Sequence, residues 1–125
     1  MNRDELVTIA NELAQKHWGI PFDGEFELVN RYWKRMNACF VFNGTSGFKL
    51  IRMSKKVNDE RTREEVIGTL LHELCHWYVY SQGLPASDID DEFIAECIRV
   101  GAPISKATGA QRAYEKYMEK KEAAQ

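Results

Sequence analysis

The chain has 125 residues, enough for one domain that buries a core without disulfide or metal staples. Its 44% hydrophobic and 29% charged content is that of an ordinary soluble globular protein. A net charge of -2 argues against broad, charge-driven binding to nucleic acid or anionic membrane, and no apolar run approaches the length of a bilayer span.

The N-terminus, MNRDELVTIANEL, patterns as an amphipathic helix rather than a signal peptide. Residues 3–17 place Leu6, Ile9, Ala10, Leu13 and His17 on one helical stripe, with Asn2 as the cap and acids in the first turn. Trp18-Gly19-Ile20-Pro21 stops that helix. The middle of the chain reads as β. Phe26–Val29 is a short strand, and residues 38–42 and 48–53 flank Asn43-Gly44-Thr45-Ser46-Gly47, a hairpin signal. Thr62-Arg63-Glu64-Glu65 matches a capping box and opens a long helix that runs to about Gln82, ended by Gly83-Leu84-Pro85. A third helix covers about 90–100, with Asp88, Asp90, Asp91 and Glu92 at its positive end. A last helix spans about 105–122. The expected fold class is α+β, a small antiparallel sheet packed against helices, in a single domain over residues 1–125.

The three cysteines, Cys39, Cys75 and Cys97, are odd in number, widely spaced and without a C-x-x-C pair. They read as small reduced core residues, and the expected setting is a reducing cytoplasm.

The chemistry concentrates in TLLHELCHWY, residues 69–78, which holds two of the three histidines. Around a helix, His76 falls about 40° from His72 and Glu73 about 100° from it. Val66, Ile67, Leu70, Leu71, Leu74, Trp77 and Tyr78 fill a separate apolar arc. Two imidazoles at i and i+4 reach one zinc ion from a single rigid helix. Glu73 sits too far round to be an easy third ligand and is placed as general base toward a water that the metal activates. The bland alternative is a pair of satisfied surface histidines. A helix with caps in register and an apolar face that excludes the motif favours the metal site.

Two histidines leave a zinc hydrolase one protein ligand short. His17 is the remaining imidazole, but it continues an apolar stripe and precedes Trp18. The acids of S-D-I-D-D-E-F, residues 87–93, follow a short turn that folds the chain back over the zinc helix, though some must cap the next helix. Asp88, Asp90, Asp91, Glu92 and, one turn further, Glu96 all stay open on this reading.

The chain resembles the SprT-like metallopeptidase domain, the family that includes the Spartan DNA–protein crosslink proteases and short bacterial and phage proteins. The resemblance covers residues 5–104. It rests on an opening helix, Tyr32-Trp33-Lys34-Arg35-Met36 before a hairpin, Leu50-Ile51-Arg52-Met53-Ser54 before the zinc helix, and Thr69-Leu70-Leu71-His72-Glu73-Leu74-Cys75-His76. Gly83, an acid-rich turn and Asp91-Glu92-Phe93 complete it, leading a helix that ends Val100-Gly101-Ala102. It implies a zincin-like fold and a zinc-dependent peptidase with His72 and His76 as ligands and Glu73 as base. The family's third histidine, just before the E/D-F pair, has no counterpart here. Spacing to Gly83 and Phe93 carries that role to Asp88, with Asp90 as runner-up, then Asp91 and Glu92. Glu96 would serve in a gluzincin-like arrangement. A carboxylate there softens the preference for zinc over manganese or another divalent metal. No cysteine follows Cys97, so the zinc ribbon of many relatives is not expected.

Arg31, Tyr32, Trp33, Lys34 and Arg35 form a basic and aromatic cluster suited to gripping single-stranded nucleic acid, or else a solvated hairpin edge with Trp33 turned inward. The Lys116–Lys121 run alternates with acids and reads as an exposed helix face. Two function classes follow. One is a zinc peptidase with a protein substrate, acting on DNA-associated targets. The other is a non-catalytic metal-containing binding module of the same fold.

Overall fold

The computed structural model describes residues 1–124. The chain divides into two units, residues 1–74 and residue 75 onward, and the division falls inside the helix that carries the motif.

In the first unit, helix α1 (Arg3–Trp18) starts where the Asn2 side chain accepts the Glu5 N–H at 2.9 Å. It stops at Gly19, whose φ of 69° favours glycine. Its buried face is Leu6, Ile9, Ala10 and Ala14, so the inward stripe ends on Ala14 rather than on Leu13 and His17. Both spacings suit a 3.6-residue period; the strand that α1 lies against, β1 (Glu25–Val29), selects between them.

Strands β2 (Ala38–Asn43) and β3 (Phe48–Ser54) make the expected hairpin, in register from Ala38↔Met53 to Asn43↔Phe48. The Asn43 side chain accepts the Thr45 and Ser46 N–H groups, and Gly47 takes the positive φ, 76°, that returns the chain. The α+β class is as expected, but the sheet is mixed rather than antiparallel throughout. Its order is β1-β3-β2, with β1 parallel to β3 and Phe26 opposite Ile51. The reason is burial. Ile51 and Met53 of β3 have no exposed surface, and a strand buried that deeply needs ladder partners on both edges. Residues 30–37 therefore carry the chain from β1 past the place of β3 to the far edge.

A short helix, α2 (Lys55–Asp59), follows β3 and escapes the sequence pattern because five residues are too few to show a period. Around it lies a polar network. Ser54 Oγ donates to the Arg31 carbonyl at 2.5 Å and accepts the Val57 N–H, capping α2. Buried Asn58 donates to the carbonyls of Asn37 (2.9 Å) and Ser54 (2.8 Å). Arg61 donates to Asn58 Oδ1 at 2.9 Å and to Thr69 Oγ1 at 2.7 Å.

Helix α3 (Arg63–Ser81) opens with the expected capping box. Glu65 N–H donates to Thr62 Oγ1 at 3.1 Å, and Thr62 N–H donates to Glu65 Oε1 at 3.0 Å. In the second unit its last turn closes as Leu84 N–H donates to the Val79 carbonyl at 3.2 Å. Gly83 supplies the φ of 75° that this reversal requires. Helix α4 (Asp91–Val100) buries Phe93, Ile94, Cys97 and Val100, the i, i+1, i+4, i+7 stripe of a one-sided helix. Helix α5 (Thr108–Ala123) buries Ala110, lies against α4 and pairs Lys120 with Asp91 at 3.0 Å.

Candidate metal centre

His72, Glu73 and His76 offer one ligand atom each, and these atoms lie within 4.8 Å of one another. The spacing follows from the helix itself, since i, i+1 and i+4 project from one side of two successive turns. The two imidazoles are half-buried and Glu73 is 5% exposed. The sector holding the motif is less open than a single apolar arc implies. Thr69 and Glu73 are buried along with Val66, Leu70, Leu71, Leu74, Cys75, Trp77 and Val79, so α3 is covered on most of its circumference.

His76 is the best-defined group. Its Nδ1 lies 2.5 Å from the Ala86 carbonyl oxygen, which accepts a hydrogen bond only from a protonated nitrogen. Its Nε2 lies 3.1 Å from Asp88 Oδ1. With the proton on Nδ1, the Nε2 lone pair and a carboxylate oxygen face each other, an arrangement that a shared proton or a cation relieves. Two ligands of one tetrahedral zinc with bonds of about 2.0–2.1 Å lie about 3.3 Å apart, so the pair has the spacing of a donor set. A neutral imidazole whose other nitrogen donates to a carbonyl is also the usual state of a ligating histidine. The residues fit a divalent cation.

The turn that delivers Asp88 is built by Asp90. Its Oδ2 accepts from Ser87 N–H at 2.9 Å and from Ser87 Oγ at 2.8 Å. Asp90 sits at the N-cap of α4, yet its side chain caps no helix N–H. It closes the preceding turn instead. Asp91 is engaged by Lys120, Glu92 is exposed in the first turn of α4, and Glu96 is held by the Arg99 guanidinium. His17 rests against Trp18 at the end of α1, ring centres 5.8 Å apart. Asp88 stands outside the tight three-residue group and meets it through His76.

Neither Cys39 nor Cys75 is poised as a thiolate. Burial, and then the nearby Glu73 charge, push the Cys39 thiol above its ordinary value. Contact with Cys97, and then burial, push the Cys75 thiol far above its own. None of the three cysteines is in a disulfide.

Side-chain patterns gave no sign of the Ala86 carbonyl, since a backbone acceptor carries no residue signature. Phe93 was legible as a marker of spacing but not as a partner of His76. In the basic cluster, Arg31, Tyr32, Lys34 and Arg35 are exposed, while Trp33 is half-buried with the Arg52 guanidinium 5.5 Å from its ring centre. Among the described residues, no helix is long and apolar enough to cross a membrane.

A mixed sheet, a capped helix bearing H-E-x-x-H and a carboxylate turn folded back onto its second histidine define an α+β protein with a helix-borne group of residues able to hold a metal ion. The chain belongs to the SprT-like family, whose model matches residues 10–108. It is similar to the Protein SprT-like of Bacillus subtilis, with 26% identity over 103 residues, 82% of this chain and 65% of that protein. The Protein SprT-like of Bacillus velezensis is 24% identical over 103 residues, 82% of this chain and 66% of its own length. The mouse DNA-dependent metalloprotease SPRTN is 35% identical over 63 residues, 47% of this chain and 13% of that protein. The chain thus spans just under two thirds of the Bacillus relatives and a much smaller part of the mammalian one.

Proposed function

We propose that the chain is a metal-dependent peptidase in which His72, His76 and Asp88 hold one divalent cation and Glu73 is the general base. Zinc is the expected ion and Mn²⁺ the alternative, because a carboxylate third ligand is harder than the imidazole usual in the family. One observation carries the reading: the H-E-x-x-H group is gathered on α3, and His76 is already fixed between the Ala86 carbonyl and Asp88. A divalent cation bound there supplies Lewis acidity toward a water and a peptide carbonyl. Glu73, beside the ligands but not needed among them, takes a proton from the attacking water and returns it to the leaving amine. The Ala86 carbonyl keeps the proton on Nδ1, so Nε2 remains a donor of electrons.

The substrate we propose is a protein segment, presented on or near DNA. The exposed Arg31, Tyr32, Lys34 and Arg35 support that contact, as does the similarity to the DNA-dependent metalloprotease SPRTN. A reducing cytoplasm suits three free thiols.

The test is Glu73→Gln, assayed on denatured and on DNA-bound protein substrates. Metal content is expected unchanged, with turnover down by about 10²–10⁴-fold. Retained turnover assigns the base elsewhere. A wild-type protein that binds metal but cleaves neither substrate is instead a binding module.

A further inference from the structure

Phe93 lies 1% exposed in the first turn of α4, and its ring is stacked on the His76 imidazole. The ring centres are 3.9 Å apart and the planes differ by 11°. The closeness and near-parallelism mark a stacked contact, in which one face of the imidazole is covered by the benzene ring. An imidazole on a free side chain turns about its last torsion. Here the Ala86 carbonyl fixes one edge, Asp88 meets the other, and Phe93 covers a face. An aliphatic side chain of similar volume fills the space but offers no flat surface.

We propose that Phe93 is a positioning residue for the metal centre: its ring fixes the plane of His76, so that Nε2 is aimed at the cation before it binds. The inference rests on the reading of His76 as a ligand. A ring that takes on positive character when its nitrogen ligates a cation is also attracted to the face of a benzene ring, so the stack strengthens on loading. Partners that orient a ligating histidine from the second layer typically change metal affinity by 10–100-fold, and Phe93 acts at that level.

The experiment measures Zn²⁺ affinity of the full chain by competition with a chelator, and the visible spectrum of the Co²⁺-loaded protein. It compares wild type, Phe93→Leu, Phe93→Tyr and His76→Ala. Phe26→Leu, at a buried aromatic of β1, serves as a matched core loss. Phe93→Leu is expected to lower affinity about tenfold and to alter the Co²⁺ bands, while Phe93→Tyr, which keeps the flat face, retains most of the affinity. Phe26→Leu is expected to lower the melting temperature without moving the affinity. Unchanged affinity in Phe93→Leu overturns the proposal, as does an equal loss in Phe26→Leu. Wild-type and His76→Ala proteins that bind Zn²⁺ equally well overturn the ligand reading itself, which separates the two failures. If Phe93→Leu does not fold, a loss of affinity in folded Phe93→Tyr as large as that of His76→Ala counts against the flat-face account.

Discussion

Residues 30–37 and 84–90 are both irregular segments rich in polar side chains, and they are held in opposite ways. The first is anchored through its backbone. Ser54 and Asn58 bond the carbonyls of Arg31 and Asn37, and the side chains of Tyr32 and Met36 stand 60% and 52% exposed. The second is anchored through side chains. Asp90 closes on Ser87, Asp88 meets His76, and the Ala86 carbonyl reaches the same imidazole. A segment gripped by its backbone leaves its side chains facing outward, and their identity is nearly independent of folding. A segment gripped by its side chains has its sequence constrained by those bonds. The difference separates side chains left to solvent from side chains spent on holding the chain.

Removing His76 strikes the side-chain-anchored segment at its hub. His76→Ala is expected to lower metal affinity by at least about a hundredfold, since orienting partners alone are worth 10–100-fold. Elemental analysis after dialysis against chelator checks this, and equal metal in both proteins breaks the assignment. Asp88→Asn is expected to lower affinity by roughly thirtyfold, about 2 kcal/mol, while Asp88→His restores tight zinc binding. Asp90→Asn run beside it sharpens the contrast. A carboxylate that builds the turn loses far less affinity than one that ligates, and the reverse order would exchange their roles.

Asn58→Ala probes the backbone-anchored segment. It removes one donor to each of the Asn37 and Ser54 carbonyls and the Oδ1 that accepts from Arg61, and a loss of about 1.5 kcal/mol in urea unfolding is expected with metal affinity unchanged. A matching loss of metal affinity would show that this network serves the centre too. The smallest effect is Tyr32→Ser, expected within about 0.5 kcal/mol of wild-type stability because the side chain is 60% exposed. In a salt-dependent single-stranded DNA assay the same variant is expected to bind more weakly, and unchanged binding removes the stacking role from this segment.

The sequence alone determined what local chemistry controls. Asn2 capping α1, the Thr62–Glu65 capping box, the Asn43–Gly47 turn and the i, i+4 histidines of α3 involve groups within a few residues of each other, so their patterns survive in one dimension. The approach of Asp88 to His76 follows from a glycine stop and a short turn, which limit where the chain can go. Tertiary structure decided what depends on pairing between distant parts. The strand order put β3 between β1 and β2, and burial at Ile51 and Met53, not chain adjacency, chose it. It gave Asp90 to Ser87, although an acid at that position reads as a helix cap. It laid the Ala86 carbonyl and the Phe93 ring on His76. Backbone carbonyls look alike in every residue, and a buried phenylalanine has the same pattern whether it fills a core or stacks on a histidine; only the folded chain distinguishes them.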